Sequence, residues 1–205
     1  MRYRKIRIAL LLLAAATTRS GSALAAIDHE LNADQSGIWA RKYQTGLEFA
    51  LIATEAGGAL WFGKDEPLGR TFWQAVDASV ISGLGAQGLK RIFGRARPDQ
   101  GGDPNSWFRG SCCQSFPSGE VALQASFVTP FVVDYARDHP WIWAPEALPL
   151  YDAIARLKSQ AHWQSDVIAG WMLGSAVGYW SARRAIPLTV QVLPAGLSVG
   201  WSKQF

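Results

Sequence analysis

The sequence predicts an all-α helical bundle with a short C-terminal β-hairpin, and three observations carry that reading. Apolar and aromatic residues recur at helical spacing in long runs, Gly/Pro-rich stretches punctuate those runs, and the period changes to strict alternation only near the C-terminus. With 205 residues, 49% of them hydrophobic and 18% charged, the chain has the length of one domain and enough apolar surface for a core. Disorder and a string of modules are excluded.

The first 25 residues hold five basic residues and no acid. A basic start (Arg2 to Arg7), an apolar run over 8–16 and Ala23-Leu24-Ala25 predict a signal peptide over 1–25, with the mature chain starting near Ala26. The apolar run of about nine residues is short for a bilayer span, which needs roughly 20. The helical domain is then expected over 26–186 and the hairpin over 187–205. Helical periodicity covers 38–62 and 68–93. A loop rich in Pro, Gly, Asp and Asn follows over 97–117, and Ser118 opens a third helix to about Asp134. A fourth is expected over 141–159 despite Pro145 and Pro149, and a fifth over 162–184. Alternating runs over 189–193 and 197–205 flank Pro194-Ala195-Gly196 and read as a hairpin packed on the bundle. The longest charge-free helical stretch, 167–182, is 16 residues, which falls short of a span, and Glu48, Glu55, Asp77, Glu120 and Asp134 interrupt the helices. The expected body is a soluble or membrane-surface bundle, exported and periplasmic.

Removing the first 25 residues leaves 15 basic against 16 acidic residues, with no basic stripe to neutralise a phosphate backbone. Nucleic acid is not expected as a partner. The two cysteines, Cys112 and Cys113, are adjacent, so they form either a vicinal disulfide or two free thiols; no ligand set for zinc is present. His29 and His139 read as structural or exposed, and Trp107 and Arg109 as surface-loop packing.

Three segments carry chemistry. Lys90 and Arg97, two helical turns apart before Pro98, form an oxyanion clamp or a solvated basic helix end. Pro117-Ser118-Gly119-Glu120 turns from loop into helix, as an anion cradle of free N–H groups or as an ordinary cap by Ser118. His162 and Asp166 are four apart, stacked if helical, so that the carboxylate orients a nucleophilic imidazole; a structural histidine is the alternative.

In this order and spacing the segments resemble the signature of the type 2 phosphatidic acid phosphatase and vanadium haloperoxidase superfamily. Lys90, Arg97 and Pro98 match its first element. Pro117-Ser118-Gly119 match the second, with Glu120 where the family has His. Arg156, His162 and Asp166 match the third, with Ala155 where the family has Ser. The resemblance spans about Lys90 to Asp166 and implies an all-α core and metal-independent, cofactor-free hydrolysis of a phosphate ester or diphosphate through a phosphohistidine. It assigns the attack to His162, its orientation to Asp166, and the phosphate oxygens to Lys90, Arg97, Arg156 and the backbone near Ser118 and Gly119. Glu120 falls at the position of the acid that protonates the leaving oxygen. It serves as that acid or marks a weakened site, because burial raises and flanking cations lower its pKa. The expected substrate is a phosphorylated lipid, with a soluble phosphomonoesterase and a non-catalytic phosphate-binding protein as rivals. A haloperoxidase has least in its favour, since nothing in the chain argues for peroxide chemistry.

Overall fold

The computed structural model describes residues 27–184 and the backbone of two strands at 189–193 and 196–200. The segment 1–25, read as a signal peptide, lies outside the described residues. Five α-helices form the body: α1 (Arg41–Phe62), α2 (Pro67–Phe93), α3 (Gly119–Tyr135), α4 (Ala147–Lys158) and α5 (Gln164–Ala182). The expected all-α class holds. The strands β1 (Thr189–Leu193) and β2 (Gly196–Gly200) pair antiparallel with Val190 opposite Val199, and the expected continuation over 201–205 lies outside the described residues.

Local chemistry sets the helix ends. Pro67 sits in the first turn of α2, where its missing N–H is no loss, and Gly94 ends that helix in the left-handed conformation. The expected fourth helix divides. Residues Pro140–Glu146 are 3-10, and α-helix begins only at Ala147, because Pro140 and Pro145 supply no N–H donor. Pro149 is tolerated in the first turn of α4. Among the described residues no helix is long and apolar enough to cross a membrane.

Helix α3 is central and packs against the other four. Leu51 of α1, Ala75 of α2, and Phe127, Val128 and Val132 of α3 form one buried cluster. The contact of α3 with α5 is closer than side chains allow. Gly170, Gly174 and Gly178 recur every fourth residue along one face of α5. A Cβ at Gly170 would overlap the Ser118 carbonyl oxygen, one at Gly174 the Ala122 carbonyl oxygen, and one at Gly178 the Thr129 side chain. Replacing Gly174 by Ala forces the helices apart and should cost about 1–3 kcal/mol. The expected readout is a lower urea midpoint with an unchanged slope.

The interior also holds a polar track in which Ser79 Oγ donates to Glu55 Oε1 at 2.7 Å and lies 3.3 Å from Ser126 Oγ. Burial raises Glu55 to about 7, against the opposing Ser79 hydrogen bond. A carboxyl raised in the folded state favours folding below its unfolded pKa and loses that advantage as pH rises towards 7. Denaturation of Glu55→Gln beside the parent should show the variant gaining roughly 3 kcal/mol relative to the parent between pH 4.5 and 7, with no further gain above.

Candidate active site

A polar cavity of about 410 Å³ opens where the ends of α2, α3, α4 and α5 converge beside α1. Six of the eight residues singled out from the sequence line it: Lys90, Arg97, Gly119, Glu120, Arg156 and His162. Ser118 and Asp166 lie fully buried behind it. The expected shared helical face of Lys90 and Arg97 does not exist, because α2 stops at Phe93 and Arg97 comes from the loop. Both reach the same cavity nonetheless. Burial, then the Arg97 and Arg156 charges, lower Lys90 to about 8, so its ammonium persists at neutral pH. Lys90 Nζ donates to the Gln114 carbonyl at 2.7 Å, which fixes the amine at the cavity wall.

Ser118 does not cap α3 with its side chain, and its buried hydroxyl has no hydrogen-bond partner among the described residues. Its N–H donates to the Asp166 carbonyl at 2.9 Å. The first-turn N–H groups of Gly119 and Glu120 are left without helical acceptors, as at any helix start.

His162 and Asp166 are not stacked on a helix, since α5 begins at Gln164. Asp166 caps that helix by accepting the Trp163 N–H at 2.9 Å, and its remaining capacity goes to Arg95 Nη1 at 2.6 Å and to the Ser115 hydroxyl. His162 Nδ1 stands 3.8 Å from Asp166 Oδ2, within ion-pair reach and beyond a hydrogen bond. That leaves Nε2 as the nitrogen turned from the carboxylate. Burial lowers His162 to about 4, with Asp166 working the other way, so the imidazole is neutral at pH 7. For Asp166, burial works upward and is outweighed by His162, Arg95 and Ser115, which hold it ionised.

At Glu120 the cations win. Burial raises the carboxyl, but Arg41, bonded at 2.5 and 2.9 Å, and Arg156 at 3.9 Å bring it below the ordinary range. Gln44 Oε1 accepts from both arginines at 3.2 Å and braces them.

Sequence reasoning did not find Arg41, Gln44, Ser115, Asp28 or Arg95. Arg95 is the most constrained of these. It is fully buried, and all five of its N–H donors have acceptors in Asp28, Asp166, Ser165 and the Pro104 carbonyl. Its guanidinium lies 4.3 Å from the Trp107 ring centroid. A second cation spaced between Lys90 and Arg97 was the available signal; Asp28 had none. Cys112 and Cys113 are joined as a vicinal disulfide in the loop before Gln114. Among the described residues no group of His, Cys, Asp and Glu is placed to hold a metal ion.

On this all-α frame a neutral buried imidazole, backed by an ionised carboxylate, shares one cavity with the cations Lys90, Arg97 and Arg156. The sequence model of the PAP2 superfamily matches residues 72–186, and the chain belongs to that superfamily. Three curated relatives are each named lipid A 1-phosphatase. The one from Porphyromonas gingivalis is 32% identical over 110 residues, covering 52% of this chain and 22% of its own length. Those from Rhizobium johnstonii and Rhizobium etli are 38% and 37% identical, covering 47% and 52% of this chain and 40% and 46% of their own. The matched stretch thus spans less than half of each relative. No solved structure matches the chain.

Replacing Arg95 by Met strands Asp28 and Asp166 as buried, unpaired carboxylates and should cost about 3–5 kcal/mol. Urea unfolding checks it, and a loss that small surface substitutions also produce would contradict the role assigned to Arg95.

Proposed function

We propose that this chain is an exported, periplasmic phosphatase that hydrolyses a lipid phosphate or diphosphate through a phosphohistidine on His162, with no metal. The observation that carries it is the buried, neutral His162 at the wall of a cavity shared with Lys90, Arg97 and Arg156. Nε2 attacks phosphorus, the bond to the leaving oxygen breaks, and the imidazole gains positive charge that Asp166 balances. Lys90, Arg97, Arg156 and the Gly119 N–H hold the equatorial oxygens; phosphoryl transfer asks mainly for positioning and charge stabilisation. Water then attacks the phosphohistidine and releases phosphate.

Relatives named lipid A 1-phosphatase support a phosphorylated lipid as substrate. Contact with a membrane surface fits the cavity's surroundings. Phe49 and Leu84, 68% and 71% exposed, adjoin the cavity-lining Glu48 and Gly83 and offer apolar surface to an amphiphile. The Cys112–Cys113 disulfide suits an oxidising compartment. A second reading, a phosphate-binding protein without turnover, is favoured by one observation: Glu120 is held ionised by Arg41.

The test is phosphate release by the purified chain from lipid A, phosphatidic acid, a polyprenyl diphosphate and a soluble aryl phosphate, beside His162→Ala. Turnover of a lipid substrate, lost in a variant that unfolds at the parent's temperature, is expected. Preference for the aryl ester without lipid would make it a soluble phosphomonoesterase. Binding without release from any substrate would establish the second reading.

A further inference from the structure

His162 stands in the loop 159–163 between α4 and α5. That loop turns at Gln160, whose φ of 54° is a left-handed conformation that residues other than glycine rarely adopt. The segment 28–34, which has no regular structure and lies outside the residues matched by the PAP2 superfamily model, ties this loop down at both ends. The Asp34 N–H donates to the Lys158 carbonyl at 2.9 Å, at the end of α4. Gln160 Nε2 donates to the Leu31 carbonyl at 3.1 Å. At the start of α5 the His29 N–H donates to Gln164 Oε1 at 3.0 Å, and Gln164 Nε2 donates back to the His29 carbonyl at 2.9 Å. Asp28 then enters the interior with a fully buried side chain. It accepts the Ser165 N–H and hydroxyl at 2.8 Å each, and Arg95 Nη2 at 2.6 Å.

We propose that segment 28–34 is a strap that positions His162, and that its Asp28 acts on His162 through Arg95 and Asp166. The inference rests on the phosphatase reading above.

The His29 ties are exposed and individually weak, whereas the Asp28 tie is buried and charge-assisted, so Asp28 carries most of the effect. Arg95 faces two carboxylates at once, Asp28 through Nη2 and Asp166 through Nη1, each at 2.6 Å. With Asp28 ionised, the guanidinium divides its charge between them. With that charge removed, Arg95 draws on Asp166 alone and weakens what Asp166 offers the imidazole 3.8 Å away. The imidazole becomes positive as it takes the phosphoryl group, so the loss falls more on the transition state than on the bound substrate. The other charges acting on His162 are Arg156 of α4, Lys90 of α2 and Glu120 of α3, and all three line the cavity. Asp28's partners, Arg95 and Ser165, do not line it, so the phosphate-holding groups are left as they are. Asp28 is a positioning residue in this scheme.

The experiment compares wild type with Asp28→Asn, which removes the charge at nearly constant volume. The substrate is whichever of lipid A, phosphatidic acid, a polyprenyl diphosphate and an aryl phosphate the wild type turns over fastest. Three quantities are read: kcat and KM, the affinity for inorganic phosphate, and the 15N shifts of the His162 imidazole at pH 7. Asp28→Asn should lower kcat roughly 10-fold and leave KM and phosphate affinity close to wild type. The imidazole proton should sit on Nδ1, facing Asp166, in wild type and be shared between the two nitrogens in the variant. An unchanged kcat, an unchanged tautomer, or a loss carried by KM or phosphate affinity would each overturn the proposal. If Asp28→Asn does not fold, Gln160→Gly decides, since it keeps the left-handed turn and removes the tie to Leu31: a lower kcat at unchanged KM supports the strap, and a wild-type kcat overturns it. A wild type that hydrolyses none of the substrates removes the phosphatase reading, while the tautomer comparison still decides whether Asp28 acts on His162.

Discussion

The backbone-to-backbone approach of α5 to α3 governs the site. Gly170, Gly174 and Gly178 let carbonyl groups of α3 lie where side chains would otherwise stand, and Gly170 faces the carbonyl of Ser118 itself. One turn before Gly170, Asp166 accepts the Ser118 N–H through its own carbonyl. The start of α3, with its free N–H groups, is thereby fixed against the start of α5, with His162 and Asp166. Two helix starts far apart in sequence become one wall of one cavity.

The site's two sides differ physically. The His162 side is rigid: Asp166 is held by Arg95, Ser115 and the Trp163 N–H, and Arg95 is clamped between two aspartates and stacked on Trp107. A buried ion network of this kind is weak evidence of stability, since desolvation offsets much of its attraction; here it fixes the direction of one carboxylate. On the Glu120 side, Arg41 is half exposed, and its bond to Glu120 is open to competition from an incoming anion. In the proposed reaction a fixed His162 faces an adjustable Glu120, which suits a step whose charge moves from substrate to leaving oxygen.

Much of this was legible in the sequence. Helical periodicity gave the number and order of helices, and the three motif segments gave eight residues that the fold brings to the cavity or its back wall. What failed were inferences that extended a helix through a motif: Gly94 ends α2 before Arg97, and α5 starts after His162. Pro140 and Pro145 likewise divert a run whose apolar pattern reads as continuous. Asp28, in the lead-in before α1, and Arg41, at the start of α1, were invisible for a different reason. Each acts through contacts made only when distant segments pack, and an isolated acid or arginine carries no local sign of that. The direction in which Glu120 titrates was also out of reach, because it depends on Arg41, a residue outside every motif.

The central claim is that His162 takes the phosphoryl group. The most direct measurement is rapid acid-free quenching of wild-type protein with a lipid substrate radiolabelled in its phosphate, followed by mapping of the labelled residue. The account predicts an alkali-stable, acid-labile phosphoryl group on His162 that forms and decays within the turnover time. Full turnover with no label on the protein, or label on a residue other than His162, would contradict it.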